Sequence, residues 1–152
     1  MNVSVSRSGT PSRLVTSTEV RVAAETMLRT LKLPRAELSI LLCDDPTIHA
    51  LNRDYRKKDR PTDVLAFAMR EGQDGHLAGD VLGDVIISLE TAKRQAGERG
   101  VRTRDEVVML LAHGVLHLLG WDHRTDAEDR RMRAETDRLV AAALRPRAAR
   151  RR

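Results

Sequence analysis

His113, His117 and His123 fall within one eleven-residue stretch, His113-Gly114-Val115-Leu116-His117-Leu118-Leu119-Gly120-Trp121-Asp122-His123. A helix turns about 100° per residue, so residues i and i+4 share a face one turn apart. His113 and His117 can therefore direct two imidazoles at one ion. Gly120 can end that helix, because glycine enters the left-handed conformation that a C-terminal cap requires. The chain can then turn back and bring His123 to the same point. Three neutral imidazoles leave one position of a tetrahedral zinc ion open, which is the ligand count of a catalytic zinc and not of a closed structural one.

The spacing resembles the extended zinc-protease pattern, with histidines at i, i+4 and i+10 and glycine at i+7. The proteases carry a glutamate directly after the first histidine, as the base that activates water. Here that position is Gly114, which has no side chain. The cage is present and the peptidase base is absent.

The elements that must position this cage are legible from caps and periodicity. Asn2-Val3-Ser4-Val5 alternates as a first strand. Thr16 and Glu19 form a capping box, followed by Val20, Ala23, Ala24, Met27, Leu28 and Leu31 at helical spacing. Leu38, Ile40 and Leu42 alternate through a strand. Asp45-Pro46 reads as N-cap and first turn of a short helix carrying Ile48, Leu51, Asn52 and Tyr55. Val64 to Met69 reads as a strand, residues 71–80 as a polar loop, and Val81 to Ile87 as a strand. Ser88 is placed to cap a helix ending near Gly100. Thr103 and Glu106 read as a second capping box, opening the helix of His113 and His117. Thr125 with Glu128 opens a last amphipathic helix carrying Met132, Leu139 and Val140. Strands and helices are interspersed, which predicts an α/β (α+β) fold: a single domain with a small mixed β-sheet packed with helices.

Composition bounds the class. At 152 residues and 41% hydrophobic, the chain is long enough for one core. The one cysteine, Cys43, ends an apolar run and reads as a buried small hydrophobe; no disulfide or cysteine metal set is possible within the chain. Neither a signal segment nor an apolar run of membrane-spanning length stands out, so a cytoplasmic protein is expected. The formal charge is +5, and residues 145–152 carry five arginines and no acid. Residues 1–144 are thus a neutral domain, and 145–152 a basic tail expected to be disordered. The tail either binds phosphate backbones or only solubilises. A second basic cluster, Arg53, Arg56, Lys57, Lys58 and Arg60, lies inside the domain.

Three segments together resemble the YbeY family, the bacterial endoribonuclease and ribosomal RNA maturation factor: His113 to His123, Leu51 to Leu65, and Leu82-Gly83-Asp84-Val85-Ile86-Ile87-Ser88. Their order and separations also fit, and the similarity runs from about Thr16 to Leu144. The family commonly continues its Thr-Asp-Val-Leu run with Ser-Phe-Pro. This chain has Ala66-Phe67-Ala68, losing a hydroxyl and a proline at the cleft floor. The resemblance implies one zinc per chain held by His113, His117 and His123. It also implies cleavage of single-stranded RNA in small-subunit ribosomal RNA maturation (3′-end processing) and ribosome quality control, and a functional arginine that maps to Arg56. Ribosomal RNA, the small subunit and its assembly factors are the implied partners, with neither DNA nor membrane.

The residues themselves suit that chemistry. A three-histidine zinc brings its bound water to a pKa of about 7 and polarises a phosphoryl oxygen. Arg56 can clamp a phosphate bidentately, or it can be a surface arginine on a solvated helix. Asp63 and Asp84 flank strands and can orient a histidine, although a structural role is favoured for both. Asp122 is expected to shape the turn before His123, and His49 and His76 to face solvent. Tyr55, Phe67 and Trp121 are the only aromatics, which argues against a stacking platform for single strands. The rival reading is a non-catalytic ribosome-assembly factor in which zinc is a structural pin. A zinc peptidase is disfavoured by Gly114.

Overall fold

Alternation with period two puts Val3 and Val5 of one strand and Leu38, Ile40 and Leu42 of the next on a common face. A computed structural model describes residues 1–9, 13–69 and 79–145. Four strands, β1 (Asn2–Arg7), β2 (Glu37–Cys43), β3 (Val64–Ala68) and β4 (Val81–Ser88), form one sheet in the order β1-β2-β4-β3. β1 pairs with β2 and β2 with β4 in parallel, while β3 runs antiparallel along β4. The mixed sheet is as expected. Its register shifts beside Leu82 and Gly83. Gly83 sits at φ +137°, and a Cβ there would lie 2.1 Å from the Phe67 carbonyl oxygen. Only glycine permits β3 to approach β4 this closely.

Five helices complete the chain: α1 (Ser17–Thr30), α2 (Asp45–Arg56), α3 (Leu89–Arg99), α4 (Thr103–Leu118) and α5 (Asp126–Ala143). α1, α4 and α5 bury Met27, Leu28, Leu111, Leu116, Met132 and Leu139 with the sheet residues Val85 and Ile87. Each such side chain contributes about 1.5–3 kcal/mol by leaving water. α2 covers part of the other face, where Ile48 packs with Cys43, Leu65 and Ile86. Burial pushes the Cys43 thiol up to about 12, so it is the inert hydrophobe expected.

Most helix starts are where the caps put them. Thr16 and Glu19 make the reciprocal capping box, and Ser88 and Thr125 accept from Thr91 N and Glu128 N. Two starts differ. The N-cap of α2 is Asp44, whose side chain accepts from Thr47 N. Asp45 is instead engaged at longer range, by the hydroxyls of Ser88 and Thr91 (2.6 Å each) and by Arg94. The second difference is α4, which opens at Arg102 without any side-chain cap. Glu106 does not reach back to form a box. It is buried at 2% exposure and lies 3.3 Å from Arg99 Nη1. The tail beyond Arg145 and most of the 71–80 loop, His76 included, lie outside the described residues.

Candidate metal centre and active site

α4 ends as the glycine predicts. Gly120 adopts φ +90°, its N–H donates to His117 O, and Trp121 N–H donates to Leu116 O. That pair of bonds is a Schellman motif, which closes the orphan carbonyls of the last turn and reverses the chain. Asp122 then accepts from His123 N at 2.7 Å and pairs with Arg124, fixing the turn as expected. The His123 amide and, to a lesser degree, Arg124 hold its carboxyl below the usual range.

The three imidazoles converge. Their ligand atoms lie within 4.8 Å of one another, and Nε2 of His113 is 3.0 Å from Nε2 of His117. Two nitrogens bound tetrahedrally at about 2.0–2.1 Å are necessarily about 3.3 Å apart, so this pair already has ligand spacing. His117 Nδ1 donates to the Trp121 carbonyl at 3.1 Å, which leaves Nε2 with its lone pair facing the cluster. Burial lowers the pKa of both His113 and His117. The neighbouring imidazoles lower His113 further, against a raising effect of Asp63. Both are therefore neutral at pH 7, the form that binds a cation. This donor set could hold a metal ion.

The cluster opens into a cavity of about 280 Å³ lined by Asp63, Val64, Ala66, Met109, His113 and His117. Gly114 faces the sheet beneath it. A Cβ at this position would lie 2.8 Å from Val85 Cγ1 and 3.4 Å from Val64 Cγ2. The glycine is thus a packing requirement, and a glutamate base has no room there. Asp63 has the structural role favoured for it. One oxygen accepts from Val64 N at 2.8 Å and the other from Gln95 at 3.2 Å, while its charge is felt by His113. Glu106 lies on the His113 side of α4, two turns earlier. Burial raises its pKa, Asp63 adds to the rise, and Arg99 opposes it.

Arg56 reaches the site across the β3 edge. Its Nη2 donates to Ala66 O at 2.6 Å, its guanidinium stacks on Phe67 at 4.7 Å, and its charge contributes to the lowered pKa of His117. Those two contacts set the plane of the fork, and the residue remains exposed. Position follows from Asn52, which sequence periodicity marks only as a helix residue. Asn52 is 2% exposed; its side-chain amide donates to Arg60 O at 2.9 Å, while its backbone carbonyl accepts from Lys57 N and Lys58 N. Lys57 takes φ +60° to close α2, so one buried asparagine shapes the whole basic turn. A buried amide inside an otherwise charged helix end was the available signal.

The candidate Asp84 is not brought to the cage, and neither is His49, for which no ligand role was expected. Asp84 is exposed on the opposite face of the sheet, since its neighbour Val85 is the residue under Gly114. It neither caps a helix nor orients a histidine. His49 is half-buried rather than free in solvent, and its Nε2 lies 2.7 Å from Asp59.

The chain matches the family model for endoribonuclease YbeY over residues 10–143. It is similar to the endoribonuclease YbeY of Geobacter sulfurreducens, 48% identical over 124 residues, covering 80% of this chain and 83% of that one. It is likewise similar to the endoribonuclease YbeY of Aquifex aeolicus, 43% identical over 132 residues, covering 87% and 86%. Among solved structures it resembles TM1509 from Thermotoga maritima, with TM-score 0.63 and 22% identity over 93% of this chain and 88% of that one. That last likeness concerns the fold.

Proposed function

This chain belongs to the endoribonuclease YbeY family and is a hydrolase acting on RNA, and we propose that it is a zinc-dependent, single-strand-specific endoribonuclease of ribosomal RNA maturation and ribosome quality control. The observation that carries the reading is the convergence of His113, His117 and His123 beside a cavity lined by Ala66, whose carbonyl accepts from Arg56. The three imidazoles would hold the zinc. Bound there, zinc supplies a water of pKa about 7 and a Lewis acid for a phosphoryl oxygen.

The protein's own groups do the remainder. Trp121 O fixes the His117 tautomer, so no ring rotation is needed when a ligand arrives. Arg56, held in plane by Ala66 O and Phe67, presents free N–H donors to a phosphate and stabilises charge developing on its oxygens. Lys57, Lys58 and Arg60 continue this positive surface outward and hold an RNA backbone without reading its sequence. Asp63 keeps negative charge beside His113, which favours a cation at the cage. The substrate in the cell is small-subunit ribosomal RNA near its 3′ end, in the cytoplasm. No described helix is long and apolar enough to cross a membrane.

The test pairs elemental analysis with cleavage of a single-stranded RNA, on protein purified without a metal-affinity step. Wild type carries about one equivalent of zinc and cleaves. His117→Ala loses both. Arg56→Ala keeps the metal and the fold but cleaves roughly a hundredfold more slowly, the usual scale for one donor to a developing oxyanion. Zinc retained in a triple alanine variant of the histidines would remove the site. A fully zinc-loaded wild type that leaves RNA intact would favour the structural-pin reading.

A further inference from the structure

The uncovered part of the sheet carries a second cavity, on the face away from the histidines. It is about 450 Å³, within the range of about 300–1,000 Å³ that small-ligand clefts occupy. Its walls are Leu41 and Ile86 of the sheet and Leu51 and Tyr55 of α2. Phe67 and Asp84 complete it, and these two are directly opposed in the β3–β4 register. Ser39 follows Asp84 in the β2–β4 register, so a row of phenyl, carboxylate and hydroxyl borders an apolar slot.

Three features of this groove are unusual together. Tyr55 is 66% exposed, with its ring edge-on to Phe67 at 5.8 Å. Phe67 is shared with Arg56, the residue that leads round the β3 edge to the histidine cavity. Asp84 places a carboxylate in the groove while the cations Arg56, Lys57 and Lys58 stand at the end of α2. A phosphate is therefore repelled from the groove and attracted to its rim. An apolar slot with a stacking ring, a carboxylate acceptor inside and a guanidinium outside is complementary to a nucleotide whose base is in and whose phosphate is out. So few rings in the sequence argue against stacking; the fold brings two of the three together beside Arg56, whose charge reaches His117.

We propose that this groove is a base-recognition subsite for an unpaired nucleotide next to the phosphate bound by Arg56, and that Asp84 selects a base with an exocyclic amine, cytosine over uracil. The inference rests on the reading of the histidine site as a single-strand nuclease. Cytosine and uracil differ in shape by almost nothing. The N4 amine of cytosine donates to a carboxylate, whereas O4 of uracil presents lone pairs to it. Tyr55 stacks on either base and adds affinity without preference.

The experiment uses labelled hexauridylate and the same oligomer with one central cytidine. Binding is measured in the absence of turnover with the His117→Ala chain, and single-turnover cleavage with wild type. The cytidine oligomer is expected to bind about tenfold more tightly. Adding Asp84→Asn, whose amide both donates and accepts, is expected to bring the ratio to near one. Adding Tyr55→Ala is expected to weaken both oligomers about tenfold and leave the ratio as it was. Asp84 and Tyr55 are exposed, so circular dichroism melts should be unchanged. Equal affinities, or a ratio that survives Asp84→Asn, overturn the subsite. So does RNA binding indifferent to both variants, as when the groove seats a protein partner. Preference for cytidine without cleavage of either oligomer would keep the subsite and reject the nuclease, while cleavage of both with no base preference would do the reverse.

Discussion

Gly114→Ala adds one methyl at the point where α4 lies on the sheet. In an exposed helix the change would stabilise by about 0.5–1 kcal/mol, because glycine loses more backbone freedom on folding. Here the new Cβ would stand 2.8 Å from Val85 Cγ1 and 3.1 Å from Cγ2. Val85 is fully buried and β-branched, so χ1 is restricted and packed neighbours leave its methyls little room to swing away. Inserting a methylene into a packed core costs about 1–3 kcal/mol. The steric cost exceeds the helical gain, for a net loss of about 0.5–2 kcal/mol and a fall in Tm of roughly 2–6 °C at this chain length. Relief comes through α4 moving off β4, and α4 carries His113 and His117 on either side of the glycine. Metal affinity should drop with stability. Urea unfolding with a chelator present separates the two, since bound metal would otherwise add its own stabilisation. The double variant Gly114→Ala/Val85→Ala should recover part of the loss, with a coupling of about 1 kcal/mol in a double-mutant cycle. A higher Tm for Gly114→Ala, or strict additivity with Val85→Ala, would refute this account of the glycine.

Asn52→Ala orphans the Arg60 carbonyl and should cost about 1–3 kcal/mol in urea unfolding; a change under about 0.5 kcal/mol would mean that the turn holds itself. Metal-free protein should lose stability as pH falls below about 6.5. His113 and His117 have lowered pKa values when folded, chiefly through burial, so the unfolded chain takes up protons that the folded chain does not. The contribution is complete above the unfolded pKa and is lost toward the lower folded values; a flat profile from pH 7.5 to 5 would contradict it. Truncation after Leu144 should weaken RNA binding at low salt and flatten the slope of log K against log salt, by about 0.7 for each phosphate that the tail neutralises. Single-turnover cleavage at saturating RNA should hardly change, since interactions equal in ground and transition states do not raise kcat. A reduced rate with binding intact would put the tail in the active site.

What the sequence determined by itself was local. The i, i+4 histidines, the Gly120 turn and the Asp122 bond to His123 all act within a few residues, where helical geometry and capping chemistry leave little choice. The same holds for the Thr16–Glu19 box and the alternation of β1 and β2. Packing decided the rest. Asp44 rather than Asp45 caps α2 because Asp45 is claimed by Ser88, Thr91 and Arg94, more than forty residues away in the chain. Glu106 leaves its expected box because its carboxyl is buried against α3, which supplies the half-exposed Arg99 beside it. Asp84 could be assigned to a face only once the bulge at Gly83 and the contact of Val85 with Gly114 were fixed. Arg56 comes to His117, and Tyr55 to Phe67, through the antiparallel return of β3 along β4, a long-range pairing that no local periodicity encodes. Ligand types follow from side-chain chemistry and near spacing, whereas the groups that surround a ligand follow from which surfaces the sheet brings together.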